Sequence, residues 1–185
     1  NLNRKIYDFI SDGDAPTSVV TVGKKGRNFV GRSGYDLRAE FTDLGDKPSL
    51  ADTLDISHAI VNDYITGFAD RVYILYPQFV STAVQKPVMR QILPVQPAKL
   101  SAGQAVGYIY EPDSASVLKA LLPRFVEMEV YQAILETIAS EQSARMVAMR
   151  NATDNAQEVV ENLTLVLNKV RQESITKELL DIVGG

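Results

Sequence analysis

The sequence predicts an α/β domain with a mostly parallel, Rossmann-like sheet, followed by one long C-terminal helix. Two observations lead to this fold class. Helix-like and strand-like segments alternate over about the first 113 residues, as they do around a parallel sheet. The last third, Arg124 to Val183, contains neither glycine nor proline, the two residues that most often end a helix. We therefore predict an α/β domain at residues 1–113 and a helical shaft at residues 114–185.

The first half of the domain alternates helices and strands. Leu2 to Ile10 carries apolar residues at helical spacing, which predicts a helix. Ser18 to Val22 is a β-branched run, typical of a buried strand in a parallel sheet. Lys24 to Val30 is predicted to form a short helix. Asp36 to Phe41 alternates apolar and polar residues, which predicts the second strand.

The second half of the domain predicts a helix and an antiparallel strand pair. Ser49 precedes an amphipathic helix that continues to about Ile65, and Asp52, three residues later, resembles a capping arrangement. Arg71 to Tyr76 is the strongest strand signal in the sequence. Its expected partner is Pro87 to Leu93, because the polar link between them is too short for the crossover helix that a parallel pair needs.

A last short strand is predicted at Val106 to Tyr110, before Pro123 either kinks or restarts the terminal helix. At 1.5 Å per residue this helix would be about 90 Å long, about three times the span of the remaining domain. Its apolar residues recur at alternating spacings of three and four, the repeat of a coiled-coil seam that needs a partner. This seam consists of Met149, Ala152, Ala156, Val159, Leu163, Val166 and Val170.

Composition and motifs argue against several classes of function. A net charge of −4, from 19 basic and 23 acidic residues, argues against a general nucleic-acid binder. The chain has no cysteine, and its one histidine, His58, cannot supply a histidine-rich metal site. No window approaches the ~18 apolar residues of a membrane span. Gly26 to Ser33 has the spacing of a phosphate-binding loop. We reject that interpretation, because we expect Phe29 and Val30 to be the buried face of a short helix. We predict no catalytic site, cofactor or metal.

The polar residues of the shaft resemble those of a known family, the γ subunit of F-type ATP synthase, which is a central rotor shaft. The similarity is dense over about the last 50 residues and continues more loosely upstream. It is carried by Ser140-Glu141-Gln142, Ala144-Arg145-Met146, Ala148-Met149, Ala152-Thr153, Asn155-Ala156, Asn168, Arg171-Gln172 and Ile175 to Leu179.

The resemblance implies that the C-terminal helix forms an antiparallel coiled coil with an N-terminal helix. This shaft would turn inside a ring of three α and three β subunits and couple transmembrane proton or sodium flow to ATP synthesis. Catalysis would belong to β, and the α/β domain would be the foot, contacting the ε subunit and the c ring. No nucleic acid would bind. The protein would be peripheral, on the cytoplasmic face of a bacterial plasma membrane or the matrix side of the mitochondrial inner membrane.

The resemblance also implies contact residues. Arg171, Gln172 and Thr176 match positions that hydrogen-bond a loop of β, with Glu178 close by. For the foot, Tyr108 and Glu111 match a loop that faces the c ring, and Arg145 lies in the lower shaft, where the contacts with the c ring and ε are expected.

The chain departs from the family pattern in lacking the N-terminal helix and the first strand with its glycine-rich loop. We therefore expect it to be incomplete. Two other interpretations stay open: a small-molecule-binding α/β domain with a dimerising coiled-coil tail, and a static coiled-coil adaptor. Nucleotide titration distinguishes the first of these from a rotor, and co-purification with an α and β hexamer distinguishes the second.

Overall fold

The computed structural model describes residues 2–13, 15–95 and 114–185, without the side chains of residues 114, 115 and 118. They form two compact units, Asn1–Ser140 and Glu141–Gly185. The elements in chain order are α1 (Leu2–Ser11), β1 (Ser18–Val22), α2 (Lys24–Ser33), β2 (Asp36–Phe41), a 3₁₀ turn (Ala51–Thr53), α3 (Leu54–Ile65), β3 (Val72–Ser81), β4 (Val84–Leu93) and α4 (Ser114–Val183).

The strands form one parallel and one antiparallel pair, which confirms the α/β fold class. β1 and β2 run parallel and are joined through α2, so that Ser18 lies opposite Asp36 and Val22 opposite Phe41. β3 and β4 run antiparallel. Among the described residues, the two pairs are separate two-stranded ladders and not one continuous sheet. The strand predicted at Val106 to Tyr110 lies outside the described residues.

The β3–β4 hairpin is longer than the sequence predicts. Each strand has 10 residues. The polar link Ser81 to Lys86, expected to be a turn, is therefore strand at both ends, and only residues 82 and 83 join β3 to β4. Polar residues fit there because an antiparallel ladder can leave one face in water. Pro77 and Pro87 lie opposite each other, and their carbonyl oxygens accept hydrogen bonds from Ser140 Oγ at 2.9 Å and Lys5 Nζ at 2.8 Å respectively.

The predicted contact between Ser49 and Asp52 before α3 is present, although the Ser49 hydroxyl donates to Asp52 and does not cap a backbone N–H. Asp52 Oδ2 accepts hydrogen bonds from the Ser49 backbone N–H at 2.7 Å and from the Ser49 hydroxyl at 2.8 Å. These two donors, the backbone group first, hold the pKa of the Asp52 carboxyl below its ordinary value. This contact spans the start of the short 3₁₀ turn, whose N-cap residue is Leu50, and the α-helix itself begins at Leu54.

The core of the first unit joins α3, β4 and the beginning of α4. α4 runs through Pro123 without a break in its assignment. α4 contributes half of the buried apolar cluster. The first unit therefore includes the beginning of α4 and extends to Ser140. The predicted division lies earlier, at residue 113, just before the first residue of α4. That division into foot and shaft remains a prediction. The buried cluster consists of Ile56, Ile92, Leu93, Val126, Val130 and Ile134.

Candidate functional site

The second compact unit, Glu141–Gly185, is a single helix as far as Val183. The absence of glycine and proline permits this length, and pairs four residues apart add to it, such as Arg145 Nη2 with Glu141 Oε1 at 3.0 Å. Such pairs are worth only a few tenths of a kcal/mol. Every residue after Val147 is exposed. Because helices in proteins draw most of their stability from packing an apolar face, this helix needs a partner.

The predicted seam is a continuous stripe on this helix, and all seven of its residues are exposed. At about 100° per residue, steps of three and four keep successive members on one side. Val160 and Leu167 directly follow two seam residues and are also exposed, so the apolar surface is wider than predicted. The signal that could have found them is their spacing of four residues from Ala156 and Leu163.

A second apolar stripe lies on the opposite side of the helix near its C-terminus. Ile175, Leu179 and Ile182 are exposed and are spaced by four and three residues. At about 100° per residue they lie about 140°, 180° and 120° around the helix from Val170. We call these three residues the tip stripe. Sequence analysis missed it, although the step of five residues from Val170 to Ile175 breaks the heptad and marks the change of face.

The four residues predicted to contact a β subunit border the tip stripe. Arg171 and Glu178, seven residues apart, follow one border, while Gln172 and Thr176 follow the other. Thr176 Oγ1 donates a hydrogen bond to the backbone oxygen of Gln172 at 2.9 Å. This hydroxyl can therefore only accept a hydrogen bond from a partner. Neither the guanidinium of Arg171 nor the carboxylate of Glu178 pairs with another residue in the described part of the chain. Both charges are therefore available to an external partner.

Of the three residues predicted for the foot contacts, Arg145 alone lies in the described part of the chain. Arg145 lies in the second unit, where its guanidinium donates to Glu141 Oε1 at 3.0 Å and to Gln142 Oε1 at 3.3 Å. Tyr108 and Glu111 lie outside the described residues. The contact of these residues with a c ring or an ε subunit stays a prediction.

A polar cluster in the first unit links the hairpin to α4. Arg90 Nη1 donates to Glu129 Oε2 at 2.8 Å, and this hydrogen bond raises the pKa of Arg90. Burial raises the pKa of the neighbouring Tyr76 hydroxyl, whose residue is only 4% exposed. Glu136 Oε2 is buried and accepts no hydrogen bond from the described residues. Sequence analysis missed this cluster, because 39 residues separate Arg90 from Glu129.

Other features bear on the excluded classes of function. Gly26 to Ser33, which has the spacing of a phosphate-binding loop, lies within α2 with Val30 buried, whereas such a loop precedes its helix. His58 Nε2 lies 3.9 Å from Glu127 Oε1. The described residues contain no group of three or more metal-ligating side chains placed to hold an ion. None of their helices is long and apolar enough to cross a membrane.

Comparisons with known proteins agree on one family. A family model described as ATP synthase matches residues 1–185. The ATP synthase gamma chains of Dehalococcoides mccartyi strain CBDB1 and Roseiflexus castenholzii are 63% and 50% identical to this chain across its whole length. The chain spans 65% of the length of each of these relatives.

A solved structure shares the fold. A chain of the Tetrahymena thermophila mitochondrial ATP synthase central stalk and c ring superposes with a TM-score of 0.65, at 20% identity, over 82% of this chain and 67% of that one. At this identity the likeness concerns the fold alone. The match of the family model to all 185 residues carries the assignment: the chain belongs to the ATP synthase family, and the relatives that it resembles along its whole length are gamma chains.

Proposed function

We propose that this chain belongs to the central-stalk rotor subunit of an F1Fo ATP synthase. Its rotation would couple transmembrane proton or sodium flow to ATP synthesis at the catalytic β subunits. The observation that carries the proposal is α4, a helix of 70 residues whose seam is exposed along its whole length, in a chain similar to gamma chains throughout. A rotor needs a stiff element that reaches its partners, and an uninterrupted helix supplies it.

The partners follow from the surfaces of the second unit. The seam would pack against an N-terminal helix in an antiparallel coiled coil, since seven apolar side chains at heptad spacing match the face of a second helix. The tip would contact β through Arg171, Gln172, Thr176 and Glu178, where a free guanidinium can bind a carboxylate or a carbonyl oxygen of the surrounding subunits.

The α/β domain would form the foot of the rotor. Arg145, Tyr108 and Glu111 are the residues proposed to contact the c ring and the ε subunit. The chain would supply no catalytic group of its own, because ATP synthesis would take place in the α3β3 hexamer around the tip. The relatives, from bacteria such as Dehalococcoides and Roseiflexus, favour a peripheral position on the cytoplasmic face of the plasma membrane.

The proposal is tested by assembling the complete gamma chain with α and β subunits and with the membrane sector. We expect co-purification, and we expect Arg171→Ala combined with Gln172→Ala to lower the rate of ATP synthesis several-fold while the hairpin and the core remain folded. The matched control is Arg150→Ala with Gln157→Ala, which removes the same side-chain types from an exposed stretch outside both stripes. Unchanged synthesis in the Arg171 and Gln172 variant would refute the contact assignment, and failure to co-purify would refute the rotor itself.

A further inference from the structure

α4 is held on the α/β domain by two kinds of contact within the first unit. The first kind is apolar, through Val126, Val130 and Ile134. Apolar burial is not directional, so it resists separation of the surfaces more than it resists rotation of the helix about its own axis. The second kind consists of hydrogen bonds that end on backbone or side-chain atoms of the domain, and these depend on distance and angle.

The strongest directional contact is the ion pair between β4 and α4. Arg90 Nη1 lies 2.8 Å from Glu129 Oε2, and the Glu129 side chain is only 17% exposed. Charged hydrogen bonds are about twice as strong as neutral ones, and partial burial reduces their screening by salt. The half-buried Glu136 of α4 lies near this pair and adds a further negative charge that favours the charged guanidinium of Arg90.

A second directional contact lies three turns further along the same helix. Ser140 Oγ donates to the backbone oxygen of Pro77 at 2.9 Å, and Ser140 is itself buried. Glu129 and Ser140 therefore attach α4 to both strands of the hairpin. By contrast, the pair of Arg124 with Glu127 at 3.0 Å joins residues of α4 only and cannot oppose rotation of the helix against the domain.

We propose that the Arg90–Glu129 ion pair and the Ser140–Pro77 hydrogen bond form a torque junction, which fixes the rotational position of α4 on the α/β domain. This inference rests on the proposed rotor function. When the foot is turned, the two bonds transmit the turning force to α4. Without them the apolar core and the long hydrogen bond from the Tyr131 hydroxyl to the Pro48 backbone oxygen, at 3.5 Å, still hold the helix, but the helix slips under load.

The test uses the complete ATP synthase with Arg90→Met, Glu129→Gln or Ser140→Ala in this chain. Arg27→Met is the matched control, because it breaks an Arg–Glu pair of 2.9 Å between α2 and β2 that does not involve α4. Two quantities are measured: hydrogen exchange of the backbone amides of residues 124–140, and ATP synthesis relative to ATP hydrolysis by the same complexes.

For Arg90→Met and Glu129→Gln we expect exchange in residues 124–140 to be about tenfold faster, in line with the loss of one charged hydrogen bond. ATP synthesis should fall several-fold while ATP hydrolysis is kept. Ser140→Ala should change both quantities in the same direction and less strongly. The double variant Arg90→Glu with Glu129→Arg, which exchanges the two charges, should restore part of the lost protection from exchange and of the lost ATP synthesis. The control should change neither quantity.

Two results would overturn the torque junction. Unchanged exchange in residues 124–140 would show that the bonds do not hold the helix, and faster exchange with normal synthesis would show that they do not carry torque. Failure of the unaltered chain to enter the complex is a different outcome. It refutes the proposed rotor, and with it the torque role, while exchange in the isolated chain still reports whether the two bonds hold α4.

Discussion

The exposed seam predicts that the 185-residue chain associates with itself in solution, and that one substitution reverses this. Leu163 lies in the centre of the seam and is 62% exposed. Full burial of a leucine is worth about 1.5–3 kcal/mol. Burial of the exposed part of Leu163 on self-association would therefore contribute about 1–2 kcal/mol in each copy. Leu163→Lys removes this from both copies of a pair, about 2–4 kcal/mol in total. At 1.4 kcal/mol per tenfold change, association should weaken by about 30- to 700-fold.

Leu165 provides the control within the same turn of the helix. It is 68% exposed, but two residues further on it lies about 200° around the helix from Leu163 and therefore outside the seam. Leu165→Lys adds the same charge and removes a similar apolar area. Sedimentation velocity or light scattering over a concentration series measures association, with binding of a hydrophobic dye as a second readout. An associated Leu163→Lys variant, or equal weakening by both variants, would contradict a seam-mediated contact.

Two further predictions concern the stability of the first unit. Ile56 is 2% exposed, and Ile56→Ala should lower the free energy of unfolding by about 2–5 kcal/mol. Ile65 lies in the same helix and is 75% exposed, so Ile65→Ala should change the free energy of unfolding by less than about 0.5 kcal/mol. Urea unfolding measures both changes. Asp52→Asn should be destabilising at neutral pH, because the folded-state pKa of Asp52 is lowered and its stabilisation exists above the ordinary carboxyl pKa. The difference between the Asp52 variant and the parent should disappear as the pH falls through the lowered pKa, and a difference that persists in acid would refute the assigned contact.

The sequence predicts elements well where one local pattern dominates. The bounds of β1 and β2 agree with the structure to the residue, because a β-branched run and a strict alternation each leave one secondary structure possible. The contact between Ser49 and Asp52 was also predictable, since its partners are three residues apart. The end of β3 was not. The local strand signal is interrupted at Pro77, and only pairing with β4 extends the strand to Ser81.

Contacts between distant segments left no trace in the sequence. Arg90 and Glu129 belong to different elements, and each is an ordinary polar position of a strand or a helix until the fold brings them together. The tip stripe was a different case. Its residues are plainly apolar in the sequence, but they lie on a different side of the helix from the seam. A search for one heptad repeat does not detect an apolar face that changes side after Val170. Counting the angle of every apolar residue around the helix would have found it.

The two apolar faces of the terminal helix require two different partners. A helix that packs on the seam can follow it only as far as the heptad continues, which is through Leu163 and Val166 to Val170. Beyond Val170, Ile175, Leu179 and Ile182 lie about 120–180° away, whereas Leu180 lies about 80° from Val170 in the other direction. The tip stripe is therefore separated from the seam by a wider angle than one packed helix covers. The seam therefore suits a helix that stiffens the shaft, while the tip stripe, with Arg171 and Gln172 at its borders, suits a partner that surrounds the end of the shaft. In the proposed rotor, the stiffening contact and the contact with the surrounding subunits would be separated along the helix near Val170.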